Sequence, residues 1–373
     1  MPEIDPGQLS PIAQKLLSPG APAKAVALAA KGVIMGATPT DVISVVAALT
    51  RHADAEIASS AKASFPKLPS TIFDGALASN LQPSVIEVLL DLLPFEPNLV
   101  ERVLRMPSLD QATVERLATQ ANEVIGELIA TNEQLLLKFP KAIERLYLNR
   151  RVRMSTADRI LELAVRNHVE LDIPAYKQAA QAILNELIIE PTGEPTFDDV
   201  LFQQTEALAQ EATLDPQVED THDTDDEGEE HLREKFLPLH QQHQQMTVSQ
   251  KIRRAVLGTG AERMLLIRDT NRLVAAAAAS SPQMTDTEAA IVAANRNISE
   301  DVLRIIAMNR NFTRSYQVKH NLVTNPKTPL TFSARLLPHL RDNDMRALTK
   351  SKNVPANIQA LARQQVMRKQ EKK

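Results

Sequence analysis

Asn297, Asn325 and Asn353 are spaced 28 residues apart, and Asp269 stands 28 before the first. On that frame the fifth following position reads Val274, Val302, Leu330 and Ile358, and the ninth reads Ala278, Ile306, Ala334 and Ala362. A fixed period of this size is the signature of a stack of small units, each exposing an apolar face that its neighbour covers. The spacing predicts a polar turn, a helix of about ten residues, a second turn and a second short helix in every unit. A repeated Asn suits such turns, because its side chain caps helices and satisfies neighbouring backbone groups. A direct ligand contact is the weaker reading of these three residues.

Helix punctuation follows the same frame. Thr285 and Glu288 form a capping box, in which hydroxyl and carboxylate each satisfy a free N–H of the first turn. Ser299 precedes Glu300 and Asp301, Thr328 precedes Pro329, and Gly258 and Gly260 suit the end of a helix that starts near Thr247. The first half repeats the style less regularly. Thr38 to Asp41 opens a helix, Ser108 to Gln111 and Ser155 to Asp158 read as further caps, and Ile86 and Val114 stand 28 apart. No run of alternating β-branched residues occurs, so strands are not expected.

Charge divides the chain into three. Residues 178–232 hold no Lys or Arg and 16 Asp or Glu, residues 233–373 hold 24 bases against 10 acids, and the whole chain carries −4. The acids are densest at 211–230, which lacks apolar periodicity. The expected organisation is therefore a helical-repeat domain over 1–190, an acidic flexible linker over 191–245 with a short helix at about 198–212, and a basic helical-repeat domain over 246–373. The fold class expected is all-α, two short-helix α-solenoid halves of HEAT-like build joined by that disordered linker.

LVTNPKTPL and KSKNVPANI resemble the turns of HEAT-like and leucine-rich-repeat-variant solenoids, and MLLIRDTNRLV, the run from NPKTPL through LLPHLRDNDMRAL, and KNVPANI resemble more closely an uncharacterised bacterial family of helical-repeat proteins. The resemblance covers most of 247–370 and extends to 80–166 through GELIATNEQLLLKFP. It implies stacked helix pairs and an acidic insert between two repeat halves, and it carries no activity with it.

Composition narrows the function classes. The chain has no Cys and no Trp, with 3 Tyr and 9 Phe. Disulfides, thiolate chemistry and Cys-based metal sites are excluded. Few aromatic rings remain to line a cofactor pocket or to stack bases. The N-terminal residues lack the pattern of a signal peptide, and no apolar run is long enough to span a bilayer, so a cytoplasmic location is expected. His240 and His243, three apart and near His231, have a spacing that a metal can share, but a Gln/His tract is a compositional signal and a solvated linker is the expectation. Gly258-Thr-Gly260 lacks the third glycine and the preceding strand of a dinucleotide loop. No catalytic motif, cofactor or metal site is expected, and the chain reads as a non-enzyme.

One window carries a functional signal. Residues 302–341 contain no acid and seven bases, Arg304, Arg310, Arg314, Lys319, Lys327, Arg335 and Arg341. In a stack these can line one groove for an anionic partner, and the competing reading is an ordinary solvated face. The acidic segment can fold back onto the basic half and shield it. The function expected is a cytoplasmic adaptor or scaffold gripping a protein partner. The alternative is a nucleic-acid-associated protein whose basic half contacts phosphates.

Overall fold

The computed structural model describes residues 4–184, 194–212, 220–225, 229–351 and 354–371. Asn353 and the two C-terminal lysines of the expected repeat and tail lie outside them. The chain divides into two compact units, 1–152 and 153–373.

The first unit holds α1 (Pro11–Leu17), α2 (Ala23–Ala29), α3 (Pro39–Leu49), α4 (Ala55–Ser64), α5 (Ser70–Leu77), α6 (Pro83–Leu92), α7 (Pro97–Leu104), α8 (Gln111–Gln120), α9 (Glu123–Ala130), α10 (Glu133–Lys138) and α11 (Pro140–Leu148). Five of these open on proline, where the missing N–H has no helical partner to lose and the fixed φ already suits a helix. The core is aliphatic. α3 buries Val42, Ile43, Val45, Val46 and Leu49, and packs on α1, α5 and α6. α8 buries Val114 and Leu117 against α11, which buries Ile143 and Leu146. Each such side chain contributes about 1.5–3 kcal/mol by leaving water.

The second unit holds α12 (Met154–Arg166), α13 (Tyr176–Ile183), α14 (Phe197–Ala212), a hairpin of β1 (His222–Thr224) and β2 (Glu230–Leu232), and α15 (Leu237–Gln245). There follow α16 (Val248–Leu257), α17 (Gly260–Leu266), α18 (Arg272–Ala279), α19 (Asp286–Ala294), α20 (Glu300–Met308), α21 (Tyr316–Thr324), α22 (Leu330–Leu336), α23 (Asp342–Leu348) and α24 (Ala356–Glu371). From α16 onward, most helices pack on the one two places further along, and α23 packs on α24. α16 lies on α18, α18 on α20, α20 on α22 and α22 on α24, while α17 lies on α19 and α19 on α21. α18, α20, α22 and α24 start at 272, 300, 330 and 356, intervals of 28, 30 and 26 residues. The 28-residue period is therefore an average.

The all-helical class is what the structure shows, apart from the two three-residue strands, which pair antiparallel with His222 opposite Leu232. The expected linker is not what the described residues of that segment form, and 191–193, 213–219 and 226–228 of it lie outside them. Within 191–245 the described residues form α14, the hairpin and α15. Leu201 and Phe202 of α14 pack with Met154 and Met246. Ala209 packs with Phe236, Leu239 and Leu265. The expected helix at 198–212 is thus present, but as a buried element: Leu201, Phe202, Thr205 and Ala209 fall on one face, and net charge alone concealed that stripe. The boundary between units also lies at 152/153, because α12 and α13 pack on α14, α16 and α18.

Several caps are as the sequence indicates. Thr38 and Asp41, Thr285 and Glu288, and Thr247 before α16 each form a capping box or its N-cap. Others differ. α22 starts at Leu330 with Pro329 as N-cap, leaving the buried Thr328 hydroxyl without a partner. Asp110 caps α8 in place of Ser108, whose hydroxyl donates to the Leu81 carbonyl. Ser155 lies inside α12 and donates to Asp199. Ser299 precedes α20 without a side-chain cap, and Gly260 opens α17.

Candidate functional site

Among the described residues, the two largest fully buried side chains are arginines, Arg253 and Arg254 on α16. Arg254 meets Glu262 of α17 through Nε to Oε1 at 2.7 Å and Nη2 to Oε2 at 2.8 Å, and its Nη1 lies 3.5 Å from Glu206 of α14. One residue on, Arg263 donates to Glu288 of α19 through Nη2 at 2.9 Å and to the Gly258 carbonyl through Nη1 at 2.8 Å. Each glutamate is also the third residue of a capping box. Glu262 accepts from the Thr259 N–H and Glu288 from the Thr285 N–H, both at 2.8 Å. Two cap carboxylates thus double as counterions, binding α16, α17 and α19 in sequence. Burial acts to raise the Glu262 carboxyl, but His243 and Arg254 beside it outweigh that and hold it below the usual carboxylate range.

Glycines make room for this ladder. A Cβ at Gly260 would lie 2.5 Å from Glu288 Oε1, and one at Gly258 would lie 2.4 Å from both the Arg254 carbonyl and Glu262 Oε2.

Beside the ladder lies a cavity of about 280 Å³ lined by His222, His240, His243, Lys251, Arg268 and Asp269, among others. His243 is 3% exposed and neither ring nitrogen has a hydrogen-bond partner. Its Nε2 stops 3.7 Å from Glu262 Oε1. Lys251 Nζ donates to Asp269 at 2.9 Å, and Arg268 holds both oxygens of Asp220 at 2.8 and 3.0 Å. Burial and then Arg268 push the His222 imidazole below its usual pKa, against the opposing pull of Glu230 and Asp220. Burial, His243 and Lys251 do the same to His240, against Asp269. Among the described residues, the side chains close enough together to share a metal are Asp225, Glu229 and His231, all exposed on the hairpin. His240 and His243 do not join that group, and His243 is a buried core residue.

The seven bases of the 302–341 window take different positions. Arg304 is exposed and pairs with Glu300 of its own helix at 3.2 Å. Arg310 and Arg314 are exposed on the turn between α20 and α21, with no side-chain partner among the described residues. Lys319 is half-buried on α21. Lys327 donates to the Asn297 carbonyl at 3.2 Å and Arg335 to the Ala307 carbonyl at 2.9 Å, while Arg341 covers the Tyr316 ring at 4.4 Å. Three of the seven are therefore engaged by neighbouring turns and a ring.

Asn325 is buried and its Nδ2 donates to the carbonyls of Ala293 and Asn295 at 2.9 and 2.7 Å, reaching back to the preceding turn of the same layer. Its Oδ1 accepts from the Lys327 N–H at 3.0 Å. The structural counterparts of Asn325 are Asn295 and Asn309, each a helix C-cap whose Oδ1 accepts from the N–H two residues on. Asn297 lies two residues off this register and is exposed. Asn149 at the end of α11 makes the same set in the first unit, donating to Ala118 and Ala121 and accepting from Arg151. A reading anchored on the 28-residue frame of the basic half misses it, although Asn-Arg-Arg-Val at 149–152 and Asn-Arg-Asn-Ile at 295–298 share a pattern.

No helix among the described residues is long and apolar enough to cross a membrane. Compared with protein-family models, with curated proteins and with solved structures, the chain matches none of them.

Proposed function

We propose that the protein is a non-catalytic adaptor whose second unit is a short HEAT-like α-solenoid, offering its helix layers and turns to a protein partner. The observation that carries this reading is the alternate packing of α16 to α22 and α24, in which α16, α18, α20, α22 and α24 follow one another in one layer and α17, α19 and α21 in the other. Stacks built this way expose long surfaces made of successive turns and helices, which suit recognition of an extended partner. The polar residues buried in the unit support the same reading: Glu262 and Glu288 serve as caps and counterions, and Asn325 as a tie between turns.

A second reading rests on a specific observation. Arg296, Arg310 and Arg314 are exposed on two turns and have no side-chain partner among the described residues. Such cations suit a phosphate backbone, in which case the protein is nucleic-acid-associated.

Affinity capture with the full chain separates the two. The adaptor reading expects a discrete protein that survives nuclease treatment and a high-salt wash. Retention of nucleic acid alone, released by salt, contradicts it and establishes the second reading.

A further inference from the structure

The cavity beside the ion-pair ladder has an asymmetric wall. All three of its histidines belong to the segment that lies over it, His222 on β1 and His240 and His243 on α15. Its floor comes from α16, α17 and the turn after them, with Lys251, Leu265, Leu266, Arg268, Asp269 and Thr270. The overlying segment is fixed by an apolar contact, Phe236 and Leu239 on Leu265 and Ala209, and by polar ones, Asp220 to Arg268 and Glu230 to Asn295.

We propose that the described residues of 220–245 form a proton-operated latch, closed over the cavity while the His222 and His240 imidazoles are neutral and lifted from α16 and α17 when they take up protons. The carboxylates that face these rings already have partners. Asp269 holds Lys251, Asp220 holds Arg268, and Glu262 holds Arg254. Glu230 Oε2 is 3.6 Å from Arg268 Nε, and Glu206 of α14 lies 3.5 Å from Arg254. New charge on the rings therefore enters a half-buried space beside Lys251 and Arg268, in which the five carboxylates named share three cations and burial is the larger cost. Burying unmatched charge is costly, and separation of the two walls relieves it by admitting water.

The sign follows from the direction of the two shifts. His222 and His240 are both lowered, so the closed form binds fewer protons than the open one. The closed latch is fully stable above the ordinary imidazole pKa of about 6.5 and weakens as pH falls through the lowered values. Opening uncovers Leu265 and releases Arg268, which gives α17 a surface that the closed form hides. The latch does not depend on what the second unit binds.

Hydrogen exchange on the full chain between pH 7.5 and 4, corrected for the intrinsic rate, reads the latch against α20 and α21 as internal reference. In the wild type, peptides from 230–245 are expected to lose several-fold more protection than the reference as pH falls from 7.5 to 5, about the size of effect that linkage to lowered imidazoles produces. The variant carrying His222→Asn and His240→Asn should lose much less. Equal change in latch and reference peptides overturns the proposal, as does a variant that keeps the full wild-type loss. The wild-type midpoint decides independently of any variant: loss that begins below about 6.5 and precedes the carboxylate range supports the latch, and protection unchanged until about pH 4, the carboxylate range, refutes it.

Discussion

Arg254 and Glu262 face one another through two parallel hydrogen bonds of 2.7 and 2.8 Å, with side chains 2% and 0% exposed. The glutamate is fixed in turn by the first turn of α17, so the pair ties a helix start to the body of the preceding helix. Removing one partner leaves the other buried and uncompensated. Glu262→Gln is expected to destabilise the second unit by about 3–5 kcal/mol in denaturant unfolding, and Arg254→Met with Glu262→Leu by clearly less, since no fully buried charge is then stranded and Glu206, which loses Arg254, is partly exposed. Equal losses in the two variants would contradict the role assigned to the pair.

Gly260→Ala tests the same ladder from its second rung. At the first position of a helix, alanine is ordinarily harmless or helpful. Here its Cβ would press on Glu288 Oε1, so the variant should lose about 1–3 kcal/mol and Glu288 should give way. A melting temperature at or above that of the wild type would show that the approach is loose.

The asparagine ties predict a ranking. Asn325→Ala strands the Asn295 and Ala293 carbonyls and should cost about 1–3 kcal/mol, and Asn149→Ala a similar amount in the first unit. Asn297→Ala, at an exposed position, should stay within about 0.5 kcal/mol. Thermal unfolding of the three variants checks the order. A cost at Asn297 equal to that at Asn325 would restore the strict 28-residue register.

Asp41 supplies a pH dependence in the first unit. Burial alone would raise its carboxyl, but bonds from Thr38 and Ser10 outweigh burial and hold it low. A lowered carboxylate stabilises the fold above its unfolded pKa of about 4, and that contribution disappears as pH falls further. Asp41→Asn should therefore cost about 1–2 kcal/mol at pH 7 and close to nothing at pH 2.5, measured as the difference from wild type.

Much of this architecture was legible in the sequence. Pro39 after Thr38, Glu288 after Thr285, and Val274, Val302 and Ile358 on the 28-residue frame mark helix starts and core positions, and all three of those apolar residues are buried. Leu330, on the same frame, is 45% exposed because α22 begins there, two residues later than the frame expects. The acidic segment misled because charge was counted along the chain, whereas burial follows the helix face. Leu201, Phe202 and Ala209 needed a 3.6-residue reading through the acids around them. The ion-pair ladder had a weak local signal, a capping box at Thr259 to Glu262, but its arginine partners lie 8 and 25 residues from their glutamates and only the fold brings them together. The buried His243 had no sequence signal beyond a tract that composition assigns to solvent.

The adaptor reading is tested most directly by cross-linking the captured partner to the full chain with an amine-reactive reagent and mapping the linked residues by mass spectrometry. If the second unit is the binding surface, the cross-links should fall on Lys319, Lys327 and Lys350, on or beside the turns of α20 to α24, and should survive nuclease treatment. Cross-links confined to lysines of the first unit, or the disappearance of every linked protein after nuclease treatment, would contradict the account.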